Sequence, residues 1–259
     1  MSETTKTKEQ LKEEFIKNRG YWSKFWEDVL ELDSNFFSTY SRFSSVPSKN
    51  NALSPKIREF IYIAIDASTT HLYLPGLKLH MENALALGAT RDEIMEVLEL
   101  TSVLGIHTCT MGVPILMDEL RKMGRGDEVD NIEYGDHEKA LKESFIKNRG
   151  YWSPFWDDML KLSPEFFECY LDFSSVPWKS GTLEPKVKEF IYIAIDTATT
   201  HLHEEGARIH IRNALNYGAT KEEIMEIFQC VSVLGMHVII RLPLTCTVFP
   251  ICPISTYFV

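Results

Sequence analysis

A set of polar residues able to carry protons or hold a ligand recurs in this chain at one fixed interval of 130 positions. The pairs are Glu59 and Glu189, Asp66 and Asp196, His71 and His201, His80 and His210, Asn83 and Asn213, His107 and His237. A histidine titrates near neutral pH, so His80 and His210 are candidates to deliver a proton, with Glu59 and Glu189 tuning or relaying it. Each of these histidines precedes its asparagine by three residues, which puts both side chains on one face of a helix. Glu59 and Asp66 stand seven apart, two turns along a face that Thr70 continues. Arg58 and Lys78, with Lys188 and Arg208 in the second set, are candidates to hold a substrate carboxylate, and Asn83 and Asn213 to contact it. Bland roles stand beside these. His80 can be a hydrogen-bonded histidine between helices, Glu59 can answer a helix dipole, and Asp66 can bond locally. His71 and His107 read as structural, although they would form a metal site with His80 if the fold brought the three together. The spacing holds no HExxH and a single HxH, His201-x-His203, so no metal or other cofactor is assigned.

These residues recur because the chain is one module written twice. Residues 15–23, FIKNRGYWS, return at 145–153, and residues 59–66, EFIYIAID, return at 189–196. More than half of the positions between 11 and 107 are identical in the second copy. The unit is domain-sized and far longer than a solenoid repeat, so each copy is expected to carry its own core. The boundaries fall at 1–123 for the first domain, 124–136 for a glycine-rich charged linker, 137–237 for the second domain and 238–259 for a divergent tail.

Local signals in each copy are helical. Ser54-Pro55 and Glu184-Pro185 place a proline at a first helical position, and Ile57, Phe60, Ile61, Ala64, Ile65 and Ser68 keep a helical period. Ile63 and Ala67 lie off that stripe, so this helix is expected to be buried on most sides. A second helix, from about 76 to 87, stops at Gly88, and Thr90 with Glu93, like Thr220 with Glu223, forms a capping box that starts a third. Tyr21, Trp22, Phe25 and Trp26 read as core, and Arg19-Gly20 as a turn both copies need. No segment alternates with period two for long, so the fold class is all-α: two tandem helical domains forming an internal pseudo-dimer.

The composition, 44% hydrophobic and 25% charged, is that of a globular protein. A net charge of -10 without a basic run excludes a nucleic-acid binder and leaves small molecules or proteins as partners. The first ten residues hold no apolar signal segment, which suggests a cytoplasmic protein. Five cysteines, none recurring at the 130-residue interval and none in a CxxC pair, indicate neither a disulfide framework nor a cysteine metal site. Residues 108–120, TCTMGVPILMDEL, read as a last helix packing on its own domain. The second copy instead ends in VIIRLPLTCTVFPICPISTYFV, with one charge and three prolines. A membrane anchor is disfavoured there by the prolines. Either an extended tail that docks, or a frame or splice departure after His237, fits better, and the second domain would then lack its closing helix.

The central block, Leu53-x-Pro55-Lys56-x-Arg58-Glu59, then His80-x-x-x-Ala84-Leu85-x-x-Gly88-Ala89-Thr90-x-x-Glu93-Ile94-x-Glu96-Val97, then Val103-Leu104-Gly105, resembles the carboxymuconolactone decarboxylase family. The second copy repeats it from Leu183 to Glu226. The resemblance implies the AhpD-like all-α fold and three activity classes. For a lactone decarboxylase, His80 and His210 would protonate the carbanion or enolate left by carbon dioxide, with no cofactor and a small carboxylated lactone or keto acid as substrate. A non-catalytic ligand-binding or assembly member is the alternative. The thiol peroxidase branch would need Cys-x-x-Cys-x-x-x-His, and the cysteine places hold Tyr73 and Gly76 in one copy and His203 and Gly206 in the other. Single-module relatives resemble hexameric rings, so the duplication implies a homotrimer, a pseudo-hexamer of modules.

Overall fold

A computed structural model describes residues 6–237 of the chain. In the first copy the helices are α1 (Lys8–Arg19), α2 (Lys24–Leu32), α3 (Ser34–Ser44), α4 (Val46–Asn50), α5 (Pro55–Ala67), α6 (Leu74–Ala86), α7 (Arg91–Ser102) and α8 (His107–Lys122). A short α9 (Asp127–Asp130) lies in the linker. The second copy follows with α10 (Asp136–Arg149), α11 (Phe155–Leu162), α12 (Pro164–Ser180), α13 (Pro185–Thr197), α14 (Glu204–Asn216) and α15 (Lys221–Ser232). Among the described residues there is no strand, as the periodicity predicts. The local signals act as expected. Ser54 Oγ caps α5 by accepting from Ile57 N, both threonine-glutamate capping boxes form, and Gly88 and Gly218 take φ of +83° and +82° after α6 and α14. The tail after His237 lies outside the described residues.

The expectation of two independent cores is corrected. α5 and α13 are buried nearly all round, with Phe60, Ile61, Ile63, Ala64 and Ile65 at most 1% exposed. A helix apolar on every side needs cover on every side, and one copy has too few helices to supply it. Each copy therefore completes the other. Leu53, Ile61, Tyr62 and Ile65 share a core with Ile224, Ile227 and Val231, while Phe60, Val97 and Leu100 share one with Leu183, Val187 and Ile191. Even the aromatic clusters cross over: Phe15, Trp26 and Phe37 take in Met236, and Phe145, Trp156 and Phe167 take in Ile106. The last helix of the first copy, α8, packs chiefly on α11 of the second copy. The 32-residue run Arg91–Lys122 is long and apolar enough to span a bilayer, but its first half is core here and carries Glu96 in a buried ion pair.

The two copies are related by an internal twofold. Thr70 Oγ1 meets Thr200 Oγ1 at 3.4 Å, so the axis passes between equivalent residues. Reciprocal ion pairs flank it: Arg58 Nη1 to Glu226 Oε1 at 2.9 Å, and Lys188 Nζ to Glu96 Oε1 at 2.8 Å. Glu226 also accepts from the amides of Ala52 and Leu53, and Glu96 from those of Thr182 and Leu183. Arg58 donates further to the Leu53 carbonyl and Lys188 to the Pro177 carbonyl. Such pairs tie the connection before each central helix to the third core helix of the opposite copy. Removing one partner would strand a buried charge at a cost of about 3–5 kcal/mol.

Candidate active site

The start of α5 brings Glu59 against α6, where Glu59 Oε2 lies 2.7 Å from His80 Nδ1. In the second copy Glu189 Oε2 lies 2.6 Å from His210 Nδ1. The carboxylate thus receives the Nδ1 proton, which fixes the tautomer and leaves Nε2 to exchange protons. The imidazoles are buried and stack on Tyr62 and Tyr192 at 4.6 and 4.5 Å between centroids. Asn83 and Asn213, expected to contact substrate, donate to the same glutamates at 3.5 and 3.2 Å, which orients the carboxylate.

The cations predicted to hold substrate are placed elsewhere. Arg58 and Lys188 are committed to the ion pairs across the twofold, and burial forbids either guanidinium or ammonium from leaving its partner. Lys78 and Arg208 are mostly exposed and pair with Glu82 and Glu204 along their own helices, outside the cavities that contain His80 and His210. The arginines that line those cavities are Arg19 and Arg149, read from the sequence only as part of a turn, and Lys24 joins Arg19 in the first. Arg19 donates to the Ser44 carbonyl at 3.0 Å and to the hydroxyls of Tyr62 and Tyr21 at 3.4 Å each. It also borders the adjoining pocket that holds Glu59 and Asn83. The signal that could have found it is FIKNRGYWS itself: a turn needs the glycine, and an unchanged arginine beside it asks for a further reason.

Asp66 and Asp196 complete the set from the far end of α5 and α13. Asp66 Oδ2 is 4.0 Å from His80 Nε2, and Asp196 Oδ2 is 3.9 Å from His210 Nε2. A side chain on Gly76 or Gly206 would overlap these carboxylates, so the positions where a peroxidase would carry cysteine must stay bare to admit an aspartate. Cys230 is buried near the first cavity, and burial pushes its thiol up to about 11, the reverse of an activated nucleophile. Thr70 lies past the end of α5 at the twofold and does not continue the Glu59–Asp66 face.

After Asp66 the chain turns back on itself through Leu72 at φ +48°, and after Asp196 through Leu202 at φ +53°. Branched residues in the left-handed region cost about 1–3 kcal/mol, and the turn is held by Tyr73 N and His203 N donating back to the Asp66 and Asp196 carbonyls at 2.8 Å. The strain positions His71 and His201. Each meets a histidine of the opposite copy: His71 Nε2 lies 2.8 Å from His237 Nδ1, and His201 Nε2 lies 2.6 Å from His107 Nδ1. His71, His80 and His107 do not gather as one set, because the swapped packing brings His71 and His107 a partner from the opposite copy. Ligand-capable atoms lie together in two groups: His107, Asp196, His201 and His203 each place one within 4.8 Å of the others, as do Asp66, His71 and His237. Burial, followed by the neighbouring His203 and His201, pushes His107 down to about 3. Burial also lowers His201 and His203, and raises Asp196 to about 7 against the opposing pull of His210.

Fold and site together define a tandem all-α protein with a thiol-free, buried carboxylate–imidazole pair in each copy. The chain belongs to the carboxymuconolactone decarboxylase family, which matches residues 35–105 and 164–235. It is also similar to a solved structure from Burkholderia xenovorans LB400, described as a candidate gamma-carboxymuconolactone decarboxylase subunit. The two are 45% identical, with 90% of this chain and 93% of that one covered and a TM-score of 0.86. No curated protein matches the chain.

Proposed function

We propose that the protein is a lyase acting on a small carboxylated lactone or keto acid, with the first copy's cavity as its principal site. The observation that carries this is a cavity of about 490 Å³ containing His80, Asp66, Arg19, Tyr21 and Tyr73, a size suited to a small ligand. Arg19 holds a carboxylate of the substrate. The bond from the departing carboxylate carbon breaks, its electron pair passes into an enolate, and carbon dioxide leaves. His80 Nε2 then delivers its proton to the carbanionic carbon and regains one from solvent, while Glu59 stabilises the transient imidazolium through Nδ1. Asp66 Oδ2 lies 4.0 Å from Nε2, on the side from which the proton is delivered. The test is turnover of γ-carboxymuconolactone, the substrate in the neighbour's description, followed as carbon dioxide release. Saturable binding without release would favour a ligand-binding member, and neither would remove the reading.

The same reading takes the protein as a cytoplasmic homotrimer in which each chain supplies an internal dimer. Met111, Ile115 and Leu116 on the outer face of α8 are at least half exposed, an apolar surface of the kind association covers, and the neighbour is described as a subunit. Light scattering should give three times the 29.8 kDa chain mass.

A further inference from the structure

We propose that His107, Asp196 and His201, with His203 as a fourth ligand, bind a first-row divalent metal ion such as Zn²⁺ that staples the two copies together. The ligands converge from separate places: His107 opens α8 of the first copy, Asp196 lies in the last turn of α13, and His201 and His203 flank the strained Leu202. His107 Nδ1 is 2.6 Å from His201 Nε2 and 3.8 Å from Asp196 Oδ1, and His203 Nδ1 is 3.9 Å from that oxygen. His203 Nδ1 also accepts from Gly206 N at 3.1 Å, so it is the weakest of the four donors.

The radius fits. In the first copy the corresponding atoms form a triangle with edges of 2.8 Å (His71 Nε2 to His237 Nδ1), 3.8 Å (His71 Nε2 to Asp66 Oδ1) and 3.7 Å (His237 Nδ1 to Asp66 Oδ1). A point equidistant from three corners so spaced lies about 2.0 Å from each, the length of a zinc bond to imidazole nitrogen or carboxylate oxygen. The same Asp-His-His triangle is kept in both copies.

The second copy supplies a further sign of a missing cation. Asp196 is 3% exposed, and its Oδ2 has no hydrogen-bond partner among the described residues. Its ion-pair neighbours there are histidines, with no lysine or arginine. A buried carboxylate oxygen without a hydrogen-bond partner is costly and is well served by a metal ion, and two imidazoles with a carboxylate suit zinc, iron or cobalt over magnesium or calcium. The adjoining cavity of about 40 Å³ has room for an ion or a few waters and none for an organic substrate. Four protein ligands in a closed site are the pattern of structural zinc, which is why the role assigned is a staple.

The test is isothermal titration of the chelator-treated full chain with Zn²⁺, paralleled by Co²⁺ absorption in the visible. Saturable binding with d–d bands from nitrogen and oxygen ligands is expected, with a rise in Tm on loading. His201→Gln and Asp196→Asn should each weaken the second-copy site by about 100-fold or more. His203→Tyr, which installs the residue the first copy already carries, is the variant least able to disturb folding and should also weaken it. The proposal is overturned if the wild-type chain takes up neither ion, or if folded His201→Gln and His203→Tyr proteins bind as tightly as wild type, which would put the ion on surface groups such as His137 and Glu168. Because titration reads the metal directly, failure of lactone turnover leaves this inference standing.

Discussion

The two copies share a backbone plan and a Glu-His pair, yet their cavities differ by an order of magnitude, about 490 Å³ around His80 and about 40 Å³ around His210. The difference comes from the walls. Cys230 lines the first cavity where the bulkier Leu100 lines the second, Tyr73 stands where His203 stands, and Thr110 of α8 closes the second from a position whose counterpart lies beyond the described residues. Both copies keep the Glu-His pair while the surroundings differ, one a ligand-sized cavity and the other a closed histidine cluster. One side of each cavity comes from the other copy, Cys230, Val233 and Leu234 in the first and Leu100, Val103 and Leu104 in the second, so a change in one repeat retunes the cavity of its twin.

The sharpest way to break this comparison is through the paired histidines. His80→Gln is expected to lower kcat about 10²- to 10⁴-fold with Tm nearly unchanged, while His210→Gln should leave turnover almost intact. Equal losses from steady-state assays of the two variants would make the sites equivalent. Stability should show the opposite, symmetric behaviour. Glu226→Ala and Glu96→Ala each strand a buried cation and should each cost about 3–5 kcal/mol in urea unfolding. A large effect from one alone would mean that the internal twofold is not energetically symmetric. Exchanging a wall residue tests the cavities themselves: Cys230→Leu makes the first resemble the second and should reduce kcat/KM about tenfold, mainly by raising KM.

The smallest expected effect is shared by both copies. Burial raises the carboxyls of Glu93 and Glu223, but hydrogen bonds from Lys56 and Lys186 and from the cap residues Thr90 and Thr220 prevail and hold them below the ordinary glutamate range. A lowered folded value means that their stabilisation is present above the unfolded value and is lost as pH falls through the folded one. Thr90→Ala and Thr220→Ala should each cost about 1 kcal/mol at neutral pH and should flatten that acid dependence equally, as thermal melts between about pH 3 and 7 would show.

Much of the local structure is legible in residue order. The capping boxes, the prolines that open α5 and α13, and the left-handed glycines after α6 and α14 act through neighbours a few positions away. His80 and Glu59 could be nominated because both copies keep them, although nothing in their 21-residue separation shows that Nδ1 meets Oε2. Arg58 was misjudged for an informative reason. A cation in the repeated block looks like a substrate anchor until Glu226, 168 residues away, is seen to neutralise it. Arg19 was missed for the converse reason, since a turn explained its glycine and left the guanidinium without a cavity to face.

By itself, the sequence determined that this is a duplicated all-α chain, where its helices start and stop, which family it belongs to, and that no thiol stands where a peroxidase would need one. Those properties depend on spacing, capping and identity across 130 residues, all of which are local or comparative. Only the tertiary structure decided that the copies exchange their packing, that α8 covers α11, and that each histidine pair is made from opposite copies. Helices as apolar as α5 and α13 state that they will be buried but not by whom, because hydrophobic burial is non-directional and the partner is chosen by the whole set of faces available.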